Sequence, residues 1–137
     1  PRNRFVADFF GTINLFEGSV ASVSGNTLSL AATDFAGEIL APASGCSAGD
    51  NVWIAVRPEK ISLSKATPDG SHRNVFKGMV WDLAYYGNMS LYRVKLENGR
   101  IIQVSAQNRI RSSERIAEWY DEVYVSWDAH NSVVLRE

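Results

Sequence analysis

The residues of this chain best equipped for chemistry are four large aromatics and a carboxylate: Trp53, Trp81, Tyr85, Tyr86 and Asp82. Indole and phenol faces attract cations and a carboxylate anchors them, so this set has the makings of a pocket for a small cation. Two small barrels also need bulky rings as filling, and that packing role is the more economical assignment. A second polar group sits in Val56-Arg57-Pro58-Glu59, where Arg57 and Glu59 flank a proline at a strand end. There they are placed to touch a neighbouring subunit or a ligand. More simply, Pro58 fixes a turn and the two charges satisfy local backbone or each other.

Other chemistry is looked for and not found. The chain has no GxxxxGK[ST] phosphate loop, no G-x-S-x-G elbow and no H-E-x-x-H pair. Cys46 is the only cysteine, and His72 and His130 lie in a linker and a terminal turn, which makes a structural zinc site improbable. Carboxylates are scattered, and Asp121-Glu122 at a strand start suits solvent better than catalysis. The expectation is therefore no catalytic residue, no cofactor site and no metal site in this chain.

The elements that must position these residues are strands. Of the 137 residues, 45% are hydrophobic and 21% charged with a net charge of −1, an ordinary globular balance that lacks the basic surplus of a nucleic-acid groove. No apolar run approaches the roughly 20 residues of a membrane-spanning helix. The stretch at residues 50–63, DNVWIAVRPEKISL, is echoed near the C-terminus by Asp121-Glu122-Val123-Tyr124-Val125-Ser126-Trp127 and then Val133-Val134-Leu135. Gly18-Ser19-Val20 matches Gly78-Met79-Val80 in the same way. The chain thus reads as a duplicated β-module.

Strands are expected at 18–24, 27–31, 37–41, 51–57 and 60–64, and again at 75–86, 89–97, 100–106, 122–127 and 132–136. Gly25-Asn26 and Asn98-Gly99 supply hairpin turns, since both pairs tolerate positive φ. Leu28 and Leu30 alternate with serine, and Tyr92, Val94 and Leu96 alternate with Arg93 and Lys95, as half-buried strands require. Gly78 inside a strand marks a bulge or a close backbone approach. The polar segment 65–74 carries a Pro-Asp-Gly turn and reads as the linker. Residues 107–119 form a loop or a short helix, in the slot between the third and fourth strands of an OB-type barrel.

The fold class is all-β: two tandem OB-like five-stranded β-barrel modules at 15–66 and 67–137, preceded by a short N-terminal helix in a junction segment, 1–14. That helix would begin at Asn3, expose Phe5, Phe9 and Phe10 as a packing face, and end at Gly11. Whether the two modules are separate barrels or exchange strands is left open by local pattern.

These residues also carry a resemblance. RFVADFFGTINLFEGSV, with Phe5-Val6-Ala7, Gly11 and Asn14, resembles the junction after the nucleotide-binding domain in ATPase subunits of bacterial ABC importers. VWIAVRPEKISL resembles the strand-Arg-Pro-Glu-strand hallmark of their TOBE (transport-associated OB) domain. YYGNMSLYRVKLENGRIIQVSAQN and VYVSWDAHNSVVL are most similar to the polyamine (putrescine or spermidine) branch.

The resemblance implies a cytoplasmic accessory domain, peripheral on the inner face of the cell membrane, beyond a nucleotide-binding domain that this chain lacks. Its partners would be that domain, a second copy of the ATPase subunit and, through the parent, permease subunits, with no nucleic acid. ATP and magnesium would belong to the parent alone, and this segment would not be an enzyme. The first residue being Pro1 fits such a segment. Arg57, Pro58 and Glu59 would be subunit contacts. The alternatives are a small-ligand sensor for a polyamine or an oxyanion and, less favoured, a free-standing OB-fold nucleic-acid binder.

Overall fold

The computed structural model describes residues 13–34, 37–71, 73–107 and 117–136. The expected N-terminal helix, its face of Phe5, Phe9 and Phe10, and most of the 107–119 connection lie outside the described residues. Among the described residues ten strands are present: β1 Asn14–Ser24, β2 Thr27–Ala32, β3 Glu38–Pro42, β4 Asn51–Val56, β5 Ser62–Ser64, β6 Arg73–Tyr86, β7 Met89–Leu96, β8 Ile101–Gln107, β9 Glu122–Asp128 and β10 Val133–Leu135. They form two five-stranded antiparallel sheets, ordered β10-β4-β1-β2-β3 and β5-β9-β6-β7-β8.

The duplication is plain in this order, and so is an exchange. The short β5 of the first half pairs with β9, Leu63 opposite Val125, while β10 of the second half pairs with β4, Val134 opposite Ile54. Each sheet therefore takes four strands from one half and its fifth from the other. Of the two arrangements that local pattern left open, separate barrels or exchanged strands, the pairing is the exchange. The 3₁₀ turns Pro58–Lys60 and Ala129–Asn131 carry the chain across at equivalent points.

β1 and β6 are longer than the pattern suggests, because each serves two neighbours in succession. Asn14 to Ser19 pairs with β4 and Gly18 to Ser24 with β2; Arg73 to Met79 pairs with β9 and Gly78 to Tyr86 with β7. A bulge follows at Val20/Ser22 and at Val80/Asp82, and it sharpens the bend that curls each sheet. Gly18 and Gly78 stand where the neighbours change over. A Cβ at Gly18 would lie 2.1 Å from the Ala31 carbonyl oxygen, and one at Gly78 would lie 2.7 Å from that of Lys95. Backbone cannot yield as a side-chain tip does. Gly18→Ala is thus expected to destabilise the chain by about 1–3 kcal/mol, the usual cost of forced overpacking, read as a lower midpoint in urea unfolding.

The core is continuous across both sheets. Leu28, Leu30, Tyr92, Val94, Leu96, Ile102 and Val104 are all buried, on the faces that strand alternation assigns to them. At its centre the fully buried Trp127 stacks on Phe16 and on Phe76, with ring centroids 5.8 Å apart in both pairs. Phe16 and Phe76 occupy equivalent places in the two halves, so one indole ties both together. Trp127 Nε1 is the one buried side-chain nitrogen or oxygen without a hydrogen-bond partner among the described residues.

Candidate functional site

The Arg57-Pro58-Glu59 turn is built by its own backbone. Arg57 is extended (φ −69°, ψ 139°), and its carbonyl accepts from Lys60 N–H at 2.9 Å. Pro58 opens the 3₁₀ turn, where its lack of an N–H costs nothing. The Arg57 and Glu59 side chains are exposed, and neither has a side-chain hydrogen bond or ion pair among those of the described residues. The equivalent turn at Ala129–Asn131 is capped instead by a side chain, Asp128 Oδ1 accepting from His130 N–H at 2.8 Å. Local capping is thus provided in both turns, but only in the second by a charged group.

The aromatic and acidic set does not converge. Trp81, Tyr85 and Tyr86 are exposed on β6 rather than filling a core. Next to the buried Val80, Trp81 faces outward without a cross-strand partner, and the bulge between Val80 and Asp82 brings Leu83 rather than Asp82 to the buried side. Lys95 Nζ lies 4.6 Å over the Trp81 ring, and Arg93 Nη1 reaches Asp82 Oδ2 at 3.3 Å. Tyr85 meets Trp119 edge to face at 6.1 Å. Trp53 lies apart from them on β4, half-buried, in the other sheet.

Trp53 instead lines a cavity of about 440 Å³, together with Leu15, Glu17, Asp34, Arg100 and Ile101 among others. It opens where the outer faces of β1 and β4 meet the start of β8, on the seam between the sheets. Glu17 and Trp53 are directly opposite each other in the β1–β4 ladder. Arg100 donates to Asp34 Oδ2 at 2.8 Å and to the Leu15 carbonyl, and its guanidinium sits 4.5 Å over the Phe16 ring.

The seam is held by two asparagines: Asn14, which the sequence marked only through the family resemblance, and Asn74, which it did not mark. Asn14 Oδ1 accepts from Gln103 N–H at 2.8 Å, and its Nδ2 donates to the Gln103 carbonyl at 2.9 Å. Asn74 Oδ1 accepts from Leu40 N–H at 2.7 Å, and its Nδ2 donates to the Leu40 carbonyl at 2.9 Å. The signal for this was in the repeat: extending the Gly18/Gly78 match back four residues aligns Asn14 with Asn74. The strand junctions repeat as well. Val20 N–H donates to the Asp50 carbonyl and Val80 N–H to that of Asp121, at 2.8 and 2.9 Å. The Asp121 carboxylate accepts from Glu118 N–H at 2.8 Å and pairs with Lys65 at 3.1 Å, and these hold it below the ordinary carboxylate range. Lys77 is raised by the Glu122 carboxylate at 3.5 Å.

Among the described residues no cluster of histidine, cysteine, aspartate and glutamate is arranged to hold a metal ion, and no helix is long and apolar enough to cross a membrane.

Residues 54–135 match the family model described as the TOBE domain. The chain is 35% identical over 138 residues to the spermidine/putrescine import ATP-binding protein PotA of Nitrosospira multiformis, covering 100% of this chain and 38% of that protein. It is 33% identical over 127 residues to PotA of Chromobacterium violaceum, with 93% and 35% covered. It is 34% identical over 137 residues to the putrescine transport ATP-binding protein PotG of Escherichia coli, with 98% and 36% covered. The chain therefore spans little more than a third of the length of these relatives. Among solved structures, the cytoplasmic molybdate-binding protein ModG with molybdate bound superposes with a TM-score of 0.76 at 16% identity. The match covers 90% of this chain and 96% of that one, and it is a likeness of fold.

Proposed function

Because the chain belongs to the TOBE-domain family, we propose that it is the accessory domain of the ATP-binding subunit of a bacterial ABC importer for polyamines. In this reading it lies in the cytoplasm at the inner face of the membrane, beyond a nucleotide-binding domain. It helps hold two ATPase subunits together and tunes transport. The observation that carries the reading is similarity over 93–100% of this chain, at 33–35% identity, to about a third of proteins named as spermidine or putrescine ATP-binding proteins. ATP and magnesium chemistry belongs to the remaining two thirds of such a protein, and so do the permease contacts.

The fold gives this role a physical basis. Strand exchange makes the two halves one interlocked body, suited to transmit contact rather than to open around a substrate. The exposed Arg57 and Glu59 sit on a turn fixed by its own backbone bonds, so they offer charges to a partner subunit without an ordering cost in the main chain.

Removing residues 13–137 from the parent subunit is expected to weaken its self-association in analytical ultracentrifugation and to reduce putrescine uptake in cells. Arg57→Ala with Glu59→Ala is expected to move both readouts in the same direction by less. Unchanged assembly and uptake after the deletion would overturn the proposal.

A further inference from the structure

The two halves repeat each other closely enough that each is a control for the other. Gly49 N–H donates to the Val20 carbonyl at 2.8 Å and Tyr120 N–H to the Val80 carbonyl at 2.7 Å. Tyr120 therefore stands where the first half has Gly49, and Trp119 where it has Ala48. The bulges at Val20/Ser22 and Val80/Asp82 align Ala21 with Trp81 in the same way. Both of these hairpins turn on Gly-Asn, with Gly25 at φ 59° and Gly87 at φ 60°. The second is longer, running from Gly78 to Tyr86 where the first runs from Gly18 to Ser24, and the added residues of that strand are Tyr85 and Tyr86.

One backbone plan is thus carried by small residues in one half and by aromatic ones in the other, so the fold itself does not require these rings. Tyr120 even adopts φ 67°, the left-handed region that Gly49 occupies at φ 94°. That conformation disfavours a bulky side chain and clusters at functional surfaces. All five rings are exposed, between 37 and 66%, and they include every aromatic among the exposed large hydrophobic residues described. Tyr85 packs on Trp119, and Tyr120 is bonded to β6 one residue before Trp81.

We propose that this aromatic surface is where the domain meets a second copy of itself across a twofold axis. The proposal rests on the subunit-assembly reading and names a contact surface for it on the second repeat, in addition to the Arg57-Pro58-Glu59 turn. At about 200 Å² per ring, the five expose about 500 Å². Two copies would bury about 1,000 Å² from the rings alone, the area at which specific interfaces begin. Charge points the same way. Arg93 pairs with Asp82, Lys65 pairs with Asp121, and Lys95 is held over the Trp81 ring. A rim so balanced can face its own image, whereas a nucleic acid or an anionic membrane would call for a basic surplus.

The test is sedimentation equilibrium of the 137-residue chain from micromolar to millimolar concentration. Reversible dimerisation is expected. Trp81→Ala, Trp119→Ala and Tyr120→Gly together install the residues of the equivalent first-half positions. They are expected to weaken the dimer at least about a hundredfold, since buried tryptophan and tyrosine dominate interface energies. Urea unfolding of the variant checks that it folds, and Tyr86→Ser at the hairpin tip, expected to weaken the dimer about tenfold, serves if it does not. Val133→Ser, exposed on β10, is expected to change nothing. A chain that stays monomeric at millimolar concentration, or a dimer undiminished by the ring substitutions, would overturn the proposal. A monomer that instead binds single-stranded DNA or anionic vesicles through these rings would overturn it equally. If deleting residues 13–137 weakens assembly of the parent but the ring substitutions do not, this surface is wrong and the assembly reading stands.

Discussion

Dividing the chain between Ala66 and Thr67 is expected to give two fragments that do not fold alone and that recover native structure when mixed. The cut falls between the sequence repeats, where two autonomous modules would tolerate it. In this fold it leaves β5 on one fragment while its partner β9 is on the other, and it separates β10 from β4. It also parts Phe16 from Trp127 in the central stack. Each fragment is of the size at which a chain buries only about 60% of its unfolded surface, so little stability is left to spare. Joining two fragments also costs about 4–15 kcal/mol of lost freedom that the intact chain does not face. The near-UV circular dichroism of each fragment should be featureless, and a 1:1 mixture at high concentration should restore it. The intact chain should unfold in one transition. A fragment that melts cooperatively on its own, at the temperature of the intact chain, would show that the exchanged strands are dispensable.

The same exchange explains which parts of the fold were legible in the sequence. Hairpins were, because turn chemistry is local. Ser24 opposite Thr27 closes the Gly25-Asn26 turn, and Gly99, at φ 92°, closes the Asn98-Gly99 turn with its N–H on the Leu96 carbonyl. The inward alternation of β7 was legible for the same reason. Partner choice for β5 and β10 was not, because such short strands hold too few side chains to specify a neighbour far away in the chain. The full length of β1 was missed because Asn14–Glu17 carries no simple alternation: Asn14, Leu15 and Phe16 are all buried, on two different faces. Trp81 was assigned to the core on its bulk, whereas alternation next to the buried Val80 sets it outward, and the bulge then turns Leu83 rather than Asp82 inward. Of the candidate cation pocket, Trp53 lines the seam cavity, whose other walls were not legible locally because Glu17, Asp34 and Arg100 come from three segments that pairing alone brings together.

Asn74→Ala is expected to destabilise the chain by about 2–4 kcal/mol, well beyond a typical surface substitution, although it deletes only a small polar group. The Asn74 amide takes the place of a peptide unit, pairing with both the N–H and the carbonyl of Leu40 on the edge strand β3. Alanine would leave both of those groups without their partner at the seam. It would also free an edge to pair with other chains, the hazard that edge strands present. Asn74→Asp separates hydrogen bonding from mere volume. A carboxylate keeps the acceptor for Leu40 N–H but sets an oxygen against the Leu40 carbonyl, in a position only 4% exposed. Burial and that repulsion both disfavour the charged form, so the introduced carboxyl should titrate above the ordinary value of about 3.9. A carboxyl whose folded pKa is raised favours the folded state while protonated, and that advantage is lost as pH rises through the folded value. Asn74→Asp should therefore approach the wild-type chain in urea stability near pH 4 and fall furthest behind it at pH 7, while the deficit of Asn74→Ala should stay flat. Asn14→Asp should follow the same course, because Asn14 makes the equivalent pair of bonds to Gln103 and a further one to the Val56 carbonyl. Equal deficits for the two substitutions at every pH would mean that the asparagines fill space and do not act as surrogate strands.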